Sequence, residues 1–279
     1  MNKAIPALDF KNGNHAHIND GNSLDLSNRG SVVACVKMDQ FQILGGIINK
    51  GDQNISIGQS YALFLLTGPR FVFEIGNGIQ IGVQSNTIIQ PNFCYHVVGT
   101  WNSTKLCIYI NGTLDNCITN NYGSTPITSS VINIGSVSSD GSYPFGGLIS
   151  RVEIWNKSLT ASEIAVQITQ SFQTSLSNPN LVAYYPFNEI TGNNNIYDQS
   201  GNGNNGILIG VPLPTRTTLI CGSKILCCDP HFTGLDGSKY DVKIKEDGLY
   251  NIVSRCGIIV NQMFYQDRYT HSAWKNRRQ

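Results

Sequence analysis

Cys94-Tyr95-His96-Val97-Val98-Gly99-Thr100-Trp101, Asn102-Ser103-Thr104 and Lys105-Leu106-Cys107-Ile108-Tyr109-Ile110 run on into Asn111-Gly112. The first and third of these segments are rich in β-branched and aromatic side chains, and the polar triplet between them breaks the run. Leu106, Ile108 and Ile110 alternate with Lys105, Cys107 and Tyr109, which predicts a strand with one buried face. Asn-Gly tolerates two successive positive φ angles, so it predicts a type I′ hairpin. Similar runs lie at 31–38, 43–49, 61–66, 70–75, 131–135 and 147–155, parted by Gly, Asn, Asp and Ser turns. Turns recurring about every 8–12 residues favour a sandwich or jelly roll over a parallel sheet. The expected fold is all-β, an antiparallel two-sheet jelly-roll sandwich.

One segment departs from that rhythm. Thr160-Ala161-Ser162-Glu163 is a capping box, and Ile164, Ile168 and Phe172 then form one apolar helical stripe. A single short helix of about three turns is expected, stopped before Pro179. Leu181 to Phe187 is a further strand, followed by an Asn/Gly-rich loop over 192–206. Val211-Pro212-Leu213-Pro214-Thr215-Arg216 reads as linker. The expected organisation is one domain over 1–210, a linker over 211–227 and a small β-rich segment over 228–279. The last 59 residues hold four of the eight cysteines and nine Lys/Arg against six Asp/Glu.

Of the 279 residues 41% are hydrophobic, enough for a core, while only 13% are charged and thirty are asparagine. A net charge of +1 gives no global positive field, which argues against nucleic acid as a partner. No apolar run approaches the ~18 residues of a membrane span. The first ten residues contain no signal-peptide apolar core. Eight cysteines and four Asn-x-Ser/Thr sequons (Asn54, Asn102, Asn111, Asn156) nonetheless point to an extracellular, cell-surface or virion-surface protein.

Four segments follow in order: Ala7-Leu8-Asp9-Phe10 with Ser23-Leu24-Asp25-Leu26; Ala34-Cys35-Val36-Lys37; Tyr95 to Gly112; and Phe145 to Asn156 with Leu159 to Ile164. Together, over residues 4 to about 209, they resemble a laminin G-like jelly roll of the concanavalin A-like lectin/glucanase superfamily, with Cys35 where Trp is usual. Leu181 to Phe187 with Asp198 to Gly206 matches a further phrase of these proteins. The resemblance implies a binding module for glycans or glycoconjugates, sometimes with calcium at a sandwich edge. Ser150 and Arg151 stand where the family's closing strand often carries two acids. The remaining candidate calcium ligands are Asp20 and Asn22 in Asn19-Asp20-Gly21-Asn22 and Asp140 in Ser139-Asp140-Gly141, against the alternative that both segments are Asx turns. Asp229-Pro230-His231-Phe232 through Asp241 is similar to the opening of a von Willebrand factor type D module, which implies a partial D-like segment contacting protein partners.

Catalysis is not expected. A glucanase of this superfamily needs a Glu-x-Asp-x-(x)-Glu strand that sets two acids on one face, whereas Glu153 has Trp155 two residues on. Neither Gly-x-Ser-x-Gly, His-Glu-x-x-His nor a P-loop is present. His15 and His17 share one strand face, expected to be solvated rather than metal-binding. Cys107 and Cys117 flank the Asn111-Gly112 turn, but a two-residue turn sets 107 opposite 116, so a bridge would need a bulge and none is expected. Sugar binding calls for an aromatic platform beside amides or carboxylates, which singles out Asn121 with Tyr122 and Asp140 with Tyr143. Trp101, Trp155 and Tyr109 are assigned to the core or a strand face. Three readings stand: a glycan-binding or adhesive surface module, a structural module assembling with proteins, and a degenerate glycosidase.

Overall fold

The computed structural model describes residues 3–51, 60–76, 80–121, 123–169, 178–221, 231–233 and 239–241. The chain divides into two compact units, Met1–Cys228 and Asp229–Gln279. In the first unit the strands are β1 (Lys3–Phe10), β2 (His15–Ile18), β3 (Gly30–Met38), β4 (Leu44–Lys50), β5 (Tyr61–Leu66), β6 (Arg70–Gly76), β7 (Gln80–Gln84), β8 (Cys94–Trp101) and β9 (Lys105–Ile110). They continue as β10 (Thr113–Thr119), β11 (Ile132–Ile134), β12 (Gly147–Trp155), β13 (Leu181–Tyr185), β14 (Asn195–Ile196), β15 (Gly206–Ile209) and β16 (Thr215–Cys221). One helix, α1 (Ala161–Thr169), lies between β12 and β13. In the second unit β17 (His231–Thr233) pairs with β18 (Lys239–Asp241) as a hairpin. The rest of the D-like stretch, including Cys227, Cys228 and Cys256, lies outside the described residues.

Two eight-stranded sheets make the sandwich. The first runs β10-β9-β8-β3-β12-β1-β16 with β13 also on β12, and the second runs β14-β15-β2-β11-β4-β5-β6-β7. Alternation sorts the faces as expected. Leu106, Ile108 and Ile110 of β9 enter the main core with Tyr61, Leu63 and Leu65 of β5. Trp101 is fully buried there, stacked on Tyr61 at 5.6 Å and tilted against Phe73 at 5.8 Å. Each such burial stabilises by roughly 1.5–3 kcal/mol. On the outer side of the first sheet, Val33, Val98, Tyr109 and Trp155 pack with Ile164 of α1.

The helix starts as its capping box requires: Thr160 N donates to Glu163 Oε2 at 2.9 Å, and Glu163 N donates to Thr160 Oγ1 at 3.3 Å. Its buried face differs from the expected stripe. Ile164 and Gln167 are buried and Ile168 is half-buried, while Phe172 lies outside the described residues. The reason is the surface beneath, where Trp155 Nε1 donates to Glu153 Oε2 at 2.7 Å and Gln167 Nε2 reaches the same oxygen at 3.1 Å. Arg151 Nε bonds Glu153 as well. A polar row on β12 therefore takes an amide rather than an aliphatic partner.

Two expectations are corrected here. Asn111 and Gly112 do take positive φ (51° and 80°), but a bulge between Leu114 and Asn116 shifts the register so that Cys117 faces Cys107, and the two form a disulfide. The extra residue is Asp115, whose carboxylate accepts from Asn86 N at 2.5 Å, Thr87 N at 3.2 Å and the Thr87 hydroxyl. The second correction concerns 211–227: Thr215–Cys221 is an edge strand paired with β1 along Lys3–Asp9. Leu219 and Cys221 pack with Ile5, Ala7 and Cys94 there, and Cys221 is disulfide-bonded to Cys94.

Candidate functional site: a polar rim cleft

Strands β3, β8 and β12 come level at one rim, where Gly30 pairs with Trp101 and Ser31 with Trp155. The residues just beyond these ends, with the segment before β3, line a cleft of about 480 Å³: Asp25, Ser27, Asn28, Arg29, Asn102, Ser103 and Asn156. Every lining side chain is a hydrogen-bonder. Asn102 is held as an Asx turn, its Oδ1 accepting from Thr104 N and Lys105 N at 2.9 Å each. Asn120 Nδ2 donates to Asn102 O at 2.6 Å, which fixes the 120–121 turn to the cleft wall.

Behind the cleft lies a feature the sequence analysis missed. A bulge between Gly46 and Ile48 admits both Ile47 and Ile48 to the core. It leaves Lys50 in register with Tyr61 and Ile132, both of them core residues. The lysine side chain is wholly buried, and its ammonium meets Asp20 Oδ1 at 2.5 Å, Asp25 Oδ1 at 3.3 Å, Ser130 O at 3.1 Å and Thr128 O at 3.3 Å. Tyr61 Oη bonds Leu24 O at 3.1 Å, tying the turn that carries Asp25 to the same place. A lysine in a strand otherwise made of Leu, Gly, Ile and Asn was the available signal.

The expected site residues fall at two opposite rims. Ile18 pairs with Ile132 at one end of β2·β11, and Ala16 with Ile134 at the other. Asp20, Asn22 and Asn121 adjoin the Ile132 end, the cleft's rim. Asp140 and Tyr143 follow β11 beyond the Ile134 end. The proposed calcium set Asp20, Asn22 and Asp140 is therefore not brought together, and neither is the sugar set Asn121, Asp140 and Tyr143. Tyr122 lies outside the described residues. Asp20 is committed to Lys50, and no group of three His, Cys, Asp or Glu among the described residues is arranged to hold a metal ion. Asp20 already meets an ammonium and Asp140 follows the other end of β11, so these three residues do not converge on one ion.

At the opposite rim Asp140 behaves as an Asx turn, accepting from Ser142 N at 2.8 Å, and the hydrogen bonds from Ser142 hold its carboxyl below the usual range. Tyr143 is 49% exposed and sits at φ 54°, a strained position for an aromatic residue. His15 and His17 do share a face, but not a solvated one: His15 is buried with Nδ1 3.2 Å from Gly13 O, and burial, with His15 beside it, lowers the pKa of half-buried His17.

Among the described residues, Glu153 and Glu74 lie on different sheets and do not pair. Glu153 is sealed under α1 by Arg151, Trp155 and Gln167. Glu74, whose pKa burial raises, has Ala62 and Gly82 as its cross-strand neighbours.

A family model described as the concanavalin A-like lectin/glucanases superfamily matches residues 10–165, more than half of the chain. The chain belongs to that superfamily. The match does not extend to the D-like stretch. Comparison with curated protein sequences gives no match. Among solved structures, a candidate carbohydrate-binding protein from Bacteroides ovatus ATCC 8483 superposes with a TM-score of 0.61 at 19% identity, over 79% of this chain and 61% of that one. The chain thus spans less than two thirds of that protein, and the likeness shows the superfamily fold. Two others are the sialidase carbohydrate-binding module CBM40 of Ruminococcus gnavus bound to α2,3-sialyllactose (TM-score 0.47, 16% identity, 60% and 97% covered) and the heptameric SAP-like pentraxin of Limulus polyphemus (0.45, 15%, 58% and 81%).

Proposed function

We propose that this chain is a non-catalytic carbohydrate-binding module of an exported or surface protein, and that its rim cleft holds a hydroxyl-rich sugar. The cleft's lining carries this reading. Its volume lies within the range of about 300–1,000 Å³ typical of small-ligand sites, and its walls are amides, hydroxyls, one carboxylate and one guanidinium. An apolar ligand would strand these groups at roughly 1–3 kcal/mol each, whereas sugar hydroxyls both donate and accept. Asp20 and Asp25 share the Lys50 charge and Arg29 offsets the carboxylate left over, so the near-neutral wall favours a neutral glycan or one with a single acid facing Arg29. Tyr122, next in sequence to Asn121, is the aromatic residue this reading assigns to stacking. Membership of a superfamily that includes lectins supports the same assignment, as does the likeness to the candidate carbohydrate-binding protein of Bacteroides ovatus. Two disulfides suit an oxidising compartment.

The test is a glycan array followed by calorimetry on its strongest ligand. Asn28→Ala and Ser103→Ala should each weaken binding about tenfold, the size of one lost hydrogen bond of about 1.4 kcal/mol. Tyr143→Ala and Asp140→Ala, at the far rim, should leave it unchanged. Loss of binding in Tyr143→Ala with none in Asn28→Ala would move the site to the other end of the sandwich.

A further inference from the structure

We infer that the ammonium of Lys50 is the resident cation of this rim, and that the cleft is built and binds its ligand without a metal ion. The cage around it consists of two carboxylate and two carbonyl oxygens, the hard donors that a calcium ion takes. The side chain is 0% exposed, with Asp25 at 10% and Asp20 at 30%. An ammonium taken out of water persists only where opposite charge and hydrogen bonds replace its hydration, and this cage supplies both. The same contacts build the site. Asp25 lines the cleft, and the Thr128 and Ser130 carbonyls draw the chain leading into β11 onto the end of β4. Lys50 is thus a positioning residue: it lines no part of the cleft, and it sets the Asp25 carboxylate that does.

Wild-type protein should show the same melting temperature in EDTA and in millimolar calcium chloride, and no terbium luminescence. Lys50→Ser opens the cage while keeping both carboxylates. Its melting temperature should fall and then recover by about 5–10 °C at a hundredfold excess of calcium over its Kd, with terbium luminescence appearing. Lys50→Met refills the volume without charge and should fall without recovering. A Lys50→Ser chain that folds only with calcium present supports the inference equally. Calcium or terbium uptake by the wild type overturns it, as does a Lys50→Ser chain that calcium neither binds nor restores. The sugar arm, equal glycan affinity in EDTA and in calcium, rests on the carbohydrate reading. The metal arm does not, so a chain that binds no sugar yet shows the lysine-to-calcium exchange sinks that reading alone.

Discussion

His96 sits on β8 opposite Cys35 of β3, which in turn pairs with Arg151 of β12. Burial, with the Arg151 charge added, pushes its imidazole down to about 3. The unfolded chain takes up that proton near 6.5 and the folded chain does not. Stability is therefore lost as pH falls from about 6.5 toward 3, at up to about 1.4 kcal/mol per pH unit. His17, lowered by burial, adds the same sign, while Glu74, raised by burial, opposes it around the carboxylate range. Urea titrations at stepped pH should show His96→Leu flattening this slope; an unchanged slope would mean that His96 does not titrate as its burial requires. Gly46 is a second constrained position, because a Cβ there would lie 2.1 Å from the Ser136 carbonyl carbon, which is backbone and cannot swing away. Gly46→Ala should cost about 1–3 kcal/mol by thermal melting.

Strands were legible in the sequence as apolar or alternating runs between turn residues: Tyr61–Leu66 and Gly147–Trp155 lie at the expected residues. What alternation does not encode is where a bulge resets it. The bulges at Ile47, Asp115 and Ser150 each answer to a partner elsewhere in the fold. The one at Asp115 is pinned by Asn86 and Thr87, so the Cys107–Cys117 bridge was hidden behind a contact 28 residues away. The helix start was legible because its cap is local, and Glu163→Ala should cost about 1 kcal/mol. Its buried amide was not, because Gln167 answers to Glu153 on another element. The two disulfides should differ in worth. Cys94–Cys221 spans 127 residues and Cys107–Cys117 spans 10, so chain entropy assigns about 5 and about 3 kcal/mol. Denaturation of the paired alanine variants should rank them in that order.

Across the whole molecule, the all-β sandwich was legible and the site only in part. Of the residues singled out, Asp20 and Asn121 lie at the rim of the cleft and Asp140 and Tyr143 at the other, since turns alike in composition cap both ends of β2·β11. Asn28, Arg29, Ser103 and Asn156 come from three separate strand ends, and only the pairing of β3 with β8 and β12 makes them neighbours. Lys50 escaped notice because its charge is internal, where composition counts it as surface. The most direct measurement is calorimetric titration of the strongest array glycan, in EDTA, into wild type and Asn28→Ala. A neutral or singly acidic glycan bound by the wild type, with about tenfold weaker binding by the variant, is the predicted result. Binding that requires added calcium, or that Asn28→Ala leaves intact, would contradict a metal-free sugar site at this rim.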